Sequence, residues 1–285
     1  MEVKTIGVLG AGAMGGGIVQ VAAQAGYPVK VCDVDIAFVE KALGRINSFL
    51  GKTVEKGKMT EEQKAGIMGL ITPVVDMEEF SDVDLVIEAI IEDLELKKDV
   101  FKKLDEICKA ETILASNTSS MSITVIGAST KRPDKVAGMH FFNPPPLMRL
   151  VEIIRGYNTS EDTVGQLMDV TKKMGKTPVD VRKDSPGFIV NRILMAQFIE
   201  AIRLLEEGVA SPQDIDTAVK LGLNYPMGPF ELQDFTGVDI GYHVANYFYE
   251  EFKDIRWNPP QALKTLIRAG RLGRKTGAGW YDHNK

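Results

Sequence analysis

Residues Val3 to Gly15 read VKTIGVLGAGAMG. An apolar run ends at Leu9 and passes straight into Gly10, Gly12 and Gly15, and an apolar helical stretch then continues to Ala25. This is the G-x-G-x-x-G spacing, placed after a predicted strand and at the opening of a predicted helix. In that context the first glycine makes a tight turn, the second lets backbone approach a diphosphate, and the third lets helix pack on strand. The helix N-terminus, at Ala13 and Met14, offers N–H groups that have no intrahelical partner, together with a partial positive charge. A second run, Val29 to Cys32, ends in Asp33, a little over 20 residues past Gly10. An acid at that spacing accepts the adenosine ribose hydroxyls of a dinucleotide. It also repels a 2′-phosphate, which favours NAD, although neighbouring residues leave NADP open. The plainer alternative for Asp33 is a turn residue at a strand end.

Outward from this unit the strand–helix alternation continues. Ile36 to Glu55 predicts one long helix, and Thr60 with Gln63 forms the capping box of another. This pair is a helical insertion between the second and third strands, where a compact crossover would be shorter. Lys52 and Lys56 lie one turn apart and share a face, which is either a solvated basic edge or a handle for an anionic substrate. Asp84 to Ile90 and Ile113 to Ser116 are further strands, with a helix from about Leu94 to Cys108 between them. Glu92, Lys97 and the polar run Asn117-Thr118-Ser119-Ser120 follow the ends of these strands. They therefore stand at the carboxyl edge of a parallel sheet, where open α/β sheets bind ligands. Either serine would equally serve as N-cap for a helix beginning at Ile123. A helix from Ser160 to Met174 and a strand from Thr177 to Val181 complete the pattern. The alternation predicts an α/β, Rossmann-type doubly wound domain over residues 1–184.

Asp184-Ser185-Pro186-Gly187 interrupts the chain, and residues 185–285 read as helical throughout, an all-α C-terminal domain. Its predicted helices run from Phe188 to Glu207, from a Ser211-Pro212 start to about Leu221, and over Pro229–Phe235, Val238–Phe252 and Gln261–Ala269. Asn191 is a polar intruder near the start of the first, either a local cap or a site residue. The apolar density from Phe188 to Leu205 suits a dimer interface and an ordinary core alike.

One more stretch carries chemistry. Lys135 to Gly156 reads KVAGMHFFNPPPLMRLVEIIRG, two short strands joined by a loop with three prolines. Glu152 is a carboxylate inside an apolar run, which is costly unless something pairs with it. His140, near the end of the other strand, is the obvious partner. A histidine oriented by a buried acid is the base–orienter half of a catalytic constellation, and this stretch alone equally admits a core histidine beside a structural acid. The other histidines compete weakly: His243 falls on a predicted helix of the second domain, and His283 lies where order is least expected.

Composition narrows the classes. The chain has 285 residues, 44% of them apolar, and a formal charge of −5, which supplies no electrostatic footprint for nucleic acid. Two cysteines, Cys32 and Cys108, in unrelated contexts form neither a metal-ligand spacing nor a disulfide framework, so no metal is expected. No apolar run approaches the roughly 18 residues of a membrane span.

GAGAMGGGI, SNTSSMSI, GMHFFNPPPLMRLVEII, DSPGFIVNR, YPMGPFEL and GRKTGAGWY, in this order over nearly the whole chain, resemble the short-chain L-3-hydroxyacyl-CoA dehydrogenase family, and most of all its bacterial 3-hydroxybutyryl-CoA members. The resemblance implies that His140 is the catalytic base and Glu152 its orienting acid. It implies that Ser119 touches both substrate and nicotinamide, and that Asn191 helps hold the acyl group. Glu92, Lys97, Asn143 and Lys275 match positions around NAD, and Lys52 and Lys56 fall where the family holds coenzyme A. It further implies an acyl-CoA substrate and a homodimer built on the helical domain, while cysteine usage, net charge and the absence of a long apolar run lead to the expectation of a cytoplasmic enzyme without nucleic-acid or membrane partners. A third proline at Pro145 departs from the family loop, which commonly has a small apolar residue between two prolines. Two other readings stand beside it: a related hydroxy-acid dehydrogenase that does not use CoA esters, and a dinucleotide-binding protein without catalysis.

Overall fold

Residues 2–283 are described by a computed structural model, in two compact units that divide between Ser185 and Pro186. The first unit alternates strands and helices in chain order: β1 (Ile6–Leu9), α1 (Ala13–Gln24), β2 (Val29–Cys32), α2 (Ile36–Glu55), α3 (Glu61–Gly69), β3 (Ile71–Pro73), β4 (Leu85–Glu88), α4 (Leu94–Ile107), β5 (Ile113–Ser116), α5 (Ile123–Ala128), β6 (Val136–Phe141), β7 (Leu150–Arg155), α6 (Glu161–Lys173) and β8 (Thr177–Val181). The strands form one sheet in the order β3-β2-β1-β4-β5-β6-β7-β8. β1, β4 and β5 are buried along their whole length, which is why they read as unbroken apolar runs rather than alternating ones. The long helix over Ile36–Glu55 is present as expected. It buries Val39, Ala42, Ile46 and Leu50, one helical stripe, and leaves Lys52 exposed. Thr60 and Gln63 form the reciprocal capping box that opens α3.

The sheet is parallel from β3 to β6 and then changes direction. β7 runs antiparallel to β6, and β8 is parallel to β7. The cause is the length of the proline loop. A parallel return needs a crossover of about a dozen residues or more, and the residues between Phe141 and Leu150 are too few. Antiparallel pairing sets His140 directly opposite Glu152.

The order reverses between β1 and β4, since β1 is followed on one side by β2 and flanked on the other by β4. In open α/β sheets the crevice outside such a switch point is where ligands bind. Gly10, Ala89 and Asn117, the residues that follow β1, β4 and β5, all lie at that carboxyl edge.

The second unit consists of α7 (Val190–Glu206), α8 (Pro212–Gly222), α9 (Pro229–Thr236), α10 (Val238–Phe252) and α11 (Gln261–Arg268). One apolar cluster gathers Phe198, Phe248 and Trp257, and another Ile202, Phe230 and Leu263. Two buried aspartates tie in the residues that follow Gly279. Asp234 accepts the N–H groups of Trp280 at 2.8 Å and Tyr281 at 2.9 Å, and lies 2.8 Å from Nε2 of His283. Asp216 accepts from Phe230 and Glu231 N–H and from the Tyr281 hydroxyl at 2.6 Å. Burial raises the Asp216 carboxyl above its usual range and outweighs these bonds. His283, expected to lack order, is therefore held. Among the described residues no helix is long and apolar enough to cross a membrane.

Candidate active site

The glycine turn follows β1. Gly10 has φ of +100°, and a Cβ there would stand 2.5 Å from the Ala89 carbonyl oxygen, so only glycine fits between the two strand ends. A Cβ on Gly15 would sit 1.8 Å from the Gly10 carbonyl. Gly12 has open space before it, nothing lying within 4 Å of a Cβ position, which is the room a diphosphate needs. Gly12 and Ala13 are exposed at the N-terminus of α1 with the helix's first N–H groups. Asp33 stands at the end of β2. Its Oδ2 accepts the Ala11 N–H at 2.6 Å and its Oδ1 the Val34 N–H at 2.7 Å. The residues present thus fit a dinucleotide, with acceptor capacity left on Asp33 for ribose hydroxyls.

Beyond the ends of β4 and β5 a charged cluster supports the neighbouring loop. Lys97, 1% exposed, places Nζ 2.6 Å from Oε1 of Glu88 and 3.3 Å from Oε2 of Glu92. Glu88, fully buried, also accepts from Ser116 Oγ at 2.7 Å and Ile90 N–H at 2.8 Å. Glu92 in turn accepts from the Thr118 and Ser120 hydroxyls and from Ser119 N–H at 2.9 Å. A buried ammonium is tolerated because two carboxylates face it. Glu92 and Lys97 are brought together here. Asn117 Oδ1 accepts the Phe141 N–H at 2.8 Å, which ties the same loop to β6.

The helix-cap alternative for Ser119 and Ser120 does not apply, because the N-cap of α5 is Ser122, which accepts from Val125 N–H. Ser119 Oγ instead lies 3.2 Å from Nε2 of His140. His140 Nδ1 lies 2.9 Å from Oε2 of Glu152, with 3% and 0% of the two residues exposed. An ionised carboxylate only accepts, so this contact places the ring proton on Nδ1 and leaves Nε2 as an acceptor beside the serine. The Phe142 ring, 4.6 Å from the imidazole between centroids, packs against it. Serine, histidine and glutamate form a line, with its open end at Ser119.

Asn143 begins the proline loop, and its bond to Pro144 is cis. It lines a cleft of about 240 Å³ with Gly17, Arg45, Phe49, Pro145 and Pro146. Lys176 anchors the loop through the carbonyls of Pro145 at 2.6 Å and Met148 at 2.8 Å. The extra proline packs on α1, where a Cβ at Gly17 would stand 2.7 Å from Pro145 Cδ. Lys52 and Lys56 are exposed, at the last turn and C-cap of α2. In the second unit Ile189 occupies the N-cap of α7, so Asn191 is the second residue of the helix and not its cap. Lys275 donates to Asp239 Oδ2 at 2.7 Å. Burial pushes the Cys32 and Cys108 thiols up to about 11, so neither is a nucleophile at neutral pH. Among the described residues no group of His, Cys, Asp and Glu could hold a metal ion.

Glu88 and Arg45 escaped the reading of the sequence. Glu88 carried a usable signal, an acid inside the apolar run DLVIEAI, which poses the same desolvation problem as Glu152. Arg45, one basic residue among many on a helix, carried none.

Known proteins match both units. The model of the 3-hydroxyacyl-CoA dehydrogenase NAD binding domain matches residues 5–185, and that of the 3-hydroxyacyl-CoA dehydrogenase C-terminal domain matches residues 187–283. A 3-hydroxybutyryl-CoA dehydrogenase of Clostridioides difficile is 48% identical over 280 residues, covering 98% of this chain and 99% of that protein. The mitochondrial hydroxyacyl-coenzyme A dehydrogenase of Sus scrofa is 43% identical, covering 99% and 91%. Among solved structures, (S)-3-hydroxybutyryl-CoA dehydrogenase from Ralstonia eutropha superposes with a TM-score of 0.97 at 43% identity, over 100% of both chains. With a family model over each part and near-full-length relatives at 43–48% identity, the chain belongs to the 3-hydroxyacyl-CoA dehydrogenase family and is an NAD-binding oxidoreductase.

Proposed function

We propose that the chain interconverts (S)-3-hydroxybutyryl-CoA and acetoacetyl-CoA with NAD(H), a step of fatty-acid or butanoate metabolism. The observation that carries this reading is the Ser119–His140–Glu152 line, which opens at the same sheet edge as the glycine turn. NAD, when bound, supplies the hydride acceptor. His140 Nε2 takes the proton of the substrate hydroxyl, and Glu152 stabilises the imidazolium that results. In reduction His140 returns that proton to the 3-oxo oxygen. An imidazole both takes and returns a proton, so the same residue serves the two directions. Ser119 orients the reacting oxygen as a neutral hydrogen-bonding group, and Asn191 is assigned to the acyl group.

Gly10, Gly12, Ala13, Met14, Gly15, Asp33, Glu92, Lys97, Ser119, Asn143 and Lys275 are assigned to NAD. Of these, Lys97 serves through its contact with Glu92, since it is buried. Lys52 and Lys56, exposed on α2, are assigned to the phosphates of coenzyme A. Residues 1–184 form the nucleotide domain and residues 185–285 the substrate domain, whose helices form a homodimer.

Reduction of acetoacetyl-CoA, followed by loss of NADH absorbance, tests the reading. Turnover is expected with the CoA ester and not with free acetoacetate, and faster with NADH than with NADPH because of Asp33. Equal turnover of acetoacetate would move the assignment to a hydroxy-acid dehydrogenase. No turnover of either, with NADH bound, would leave a dinucleotide-binding protein without catalysis.

A further inference from the structure

We propose that Arg45 is a positioning residue for the cofactor diphosphate, acting by holding the peptide planes of the glycine turn. Its Nη2 lies 2.8 Å from the Ala11 carbonyl oxygen and 3.1 Å from that of Gly12, reaching them from α2, more than thirty residues along the chain. In a trans peptide the C=O and the following N–H point in opposite directions. A donor on the Ala11 carbonyl therefore turns the Gly12 N–H to the opposite side of the plane, and one on the Gly12 carbonyl does the same for Ala13. The second plane already has a helical bond, from Gly16 N–H to the Gly12 oxygen at 3.0 Å. The first does not, because Ala11 precedes the helix, and among the described residues the hydrogen bond to its carbonyl comes from Arg45. Asp33 holds the other polar end of the same residue, the Ala11 N–H, at 2.6 Å. Ala11 is thus clamped between an acid at the end of β2 and a base on α2, which fixes the direction of the turn's free N–H groups before any anion arrives.

The charge acts in the same sense. Among the described residues no carboxylate forms an ion pair with Arg45, whose guanidinium adds positive charge beside a turn that receives two negative phosphates. Arg45 touches backbone and not reacting atoms, and the His140 and Glu152 strands lie elsewhere in the sheet. Its effect belongs in cofactor affinity and not in proton transfer. The inference rests on the NAD site alone and is indifferent to which acyl group is reduced.

The test uses the full chain and NADH without acyl substrate. Fluorescence titration of Arg45→Met should give a Kd for NADH raised about tenfold, the order of one charge-assisted hydrogen bond. The kcat at saturating NADH should stay within about twofold of wild type, and circular dichroism should show the wild-type helix content. Competition against NADH separates a diphosphate effect from general damage. The Ki of ADP-ribose should rise by the same factor as the NADH Kd, and that of adenosine, which has no phosphate, should not move. Arg45→Gln removes the charge but keeps an N–H donor that can serve one carbonyl, and should show an intermediate loss. An unchanged NADH Kd in Arg45→Met overturns the proposal, as does an equal loss for ADP-ribose and adenosine. A loss in Arg45→Gln as large as that in Arg45→Met would reject the carbonyl clamp and leave only a charge effect. If Arg45→Met does not fold, the same titrations on Arg45→Gln decide: a rise in the ADP-ribose Ki alone supports the proposal, and equal changes for ADP-ribose and adenosine, or none, overturn it.

Discussion

The β6–β7 pair and the last turns of α2 both carry residues assigned to the reaction, and they are built in opposite ways. His140 and Glu152 face each other across an antiparallel ladder, 2.9 Å apart and sealed from water. Lys52 and Lys56 stand on an exposed helix face. A proton transfer depends on tenths of an ångström and on one tautomer, so its groups are fixed by backbone register and low dielectric. A phosphate handle needs only charge of the right sign within reach, and long mobile side chains supply that. Where accuracy is needed the residues are buried and paired, and where only attraction is needed they are left in solvent.

The largest break in that contrast is made at the dyad. His140→Ala should lower kcat for acetoacetyl-CoA reduction by about 10²–10⁴-fold while NADH binding stays near wild type. Glu152→Gln should also lower kcat, since the amide cannot stabilise an imidazolium. The double variant should be little worse than His140→Ala alone, as expected of groups acting as a unit. A kcat near wild type in His140→Ala would reduce the histidine to a core residue, and losses that simply multiply would uncouple Glu152 from it.

A smaller break tests whether burial itself makes a polar group consequential. Glu88→Gln leaves the Lys97 ammonium buried against an amide and one remaining carboxylate. Losing one partner of a buried pair typically costs about 3–5 kcal/mol. Glu92 and the added amide offset part of this, so urea denaturation should show a loss of roughly 2–3 kcal/mol. A change within the scatter of wild-type measurements would mean that Lys97 finds equal compensation without Glu88.

The smallest effects belong to the exposed face. Lys52→Ala and Lys56→Ala should each raise KM for the CoA ester by about fivefold, the order of an exposed charge contact, with kcat little changed. Added salt should erase much of the difference. Wild-type KM values in both variants would return this face to an ordinary solvated edge, and a loss of kcat would place it in the chemistry and undo the contrast.

A related division separates what is legible in the amino-acid sequence from what is not. β2, α2 and β5 follow from apolar runs, caps and helical periodicity, which are local. The glycine turn and Asp33 are legible because strand, turn and helix occur in sequence. Glu152 is legible because an acid in an apolar run demands a partner. The antiparallel direction of β7 follows only once loop length is weighed. Ser122 as the true cap of α5 and the pairing of Glu88 with Lys97 depend on which of several equivalent donors the folded chain brings into reach. Arg45 lies further out still, since its partners are carbonyls, and every residue has one of those.

Asp234 has a consequence for folding. Its carboxylate is buried, and the N–H groups it accepts belong to residues made 46 and 47 positions later. Until residues 280–283 reach that carboxylate, the hydrogen bonds it accepts from them are unmade and water must take their place. Closing the second unit over Asp234 without that segment would bury an uncompensated carboxylate, so its final packing is coupled to the docking of Trp280 and Tyr281.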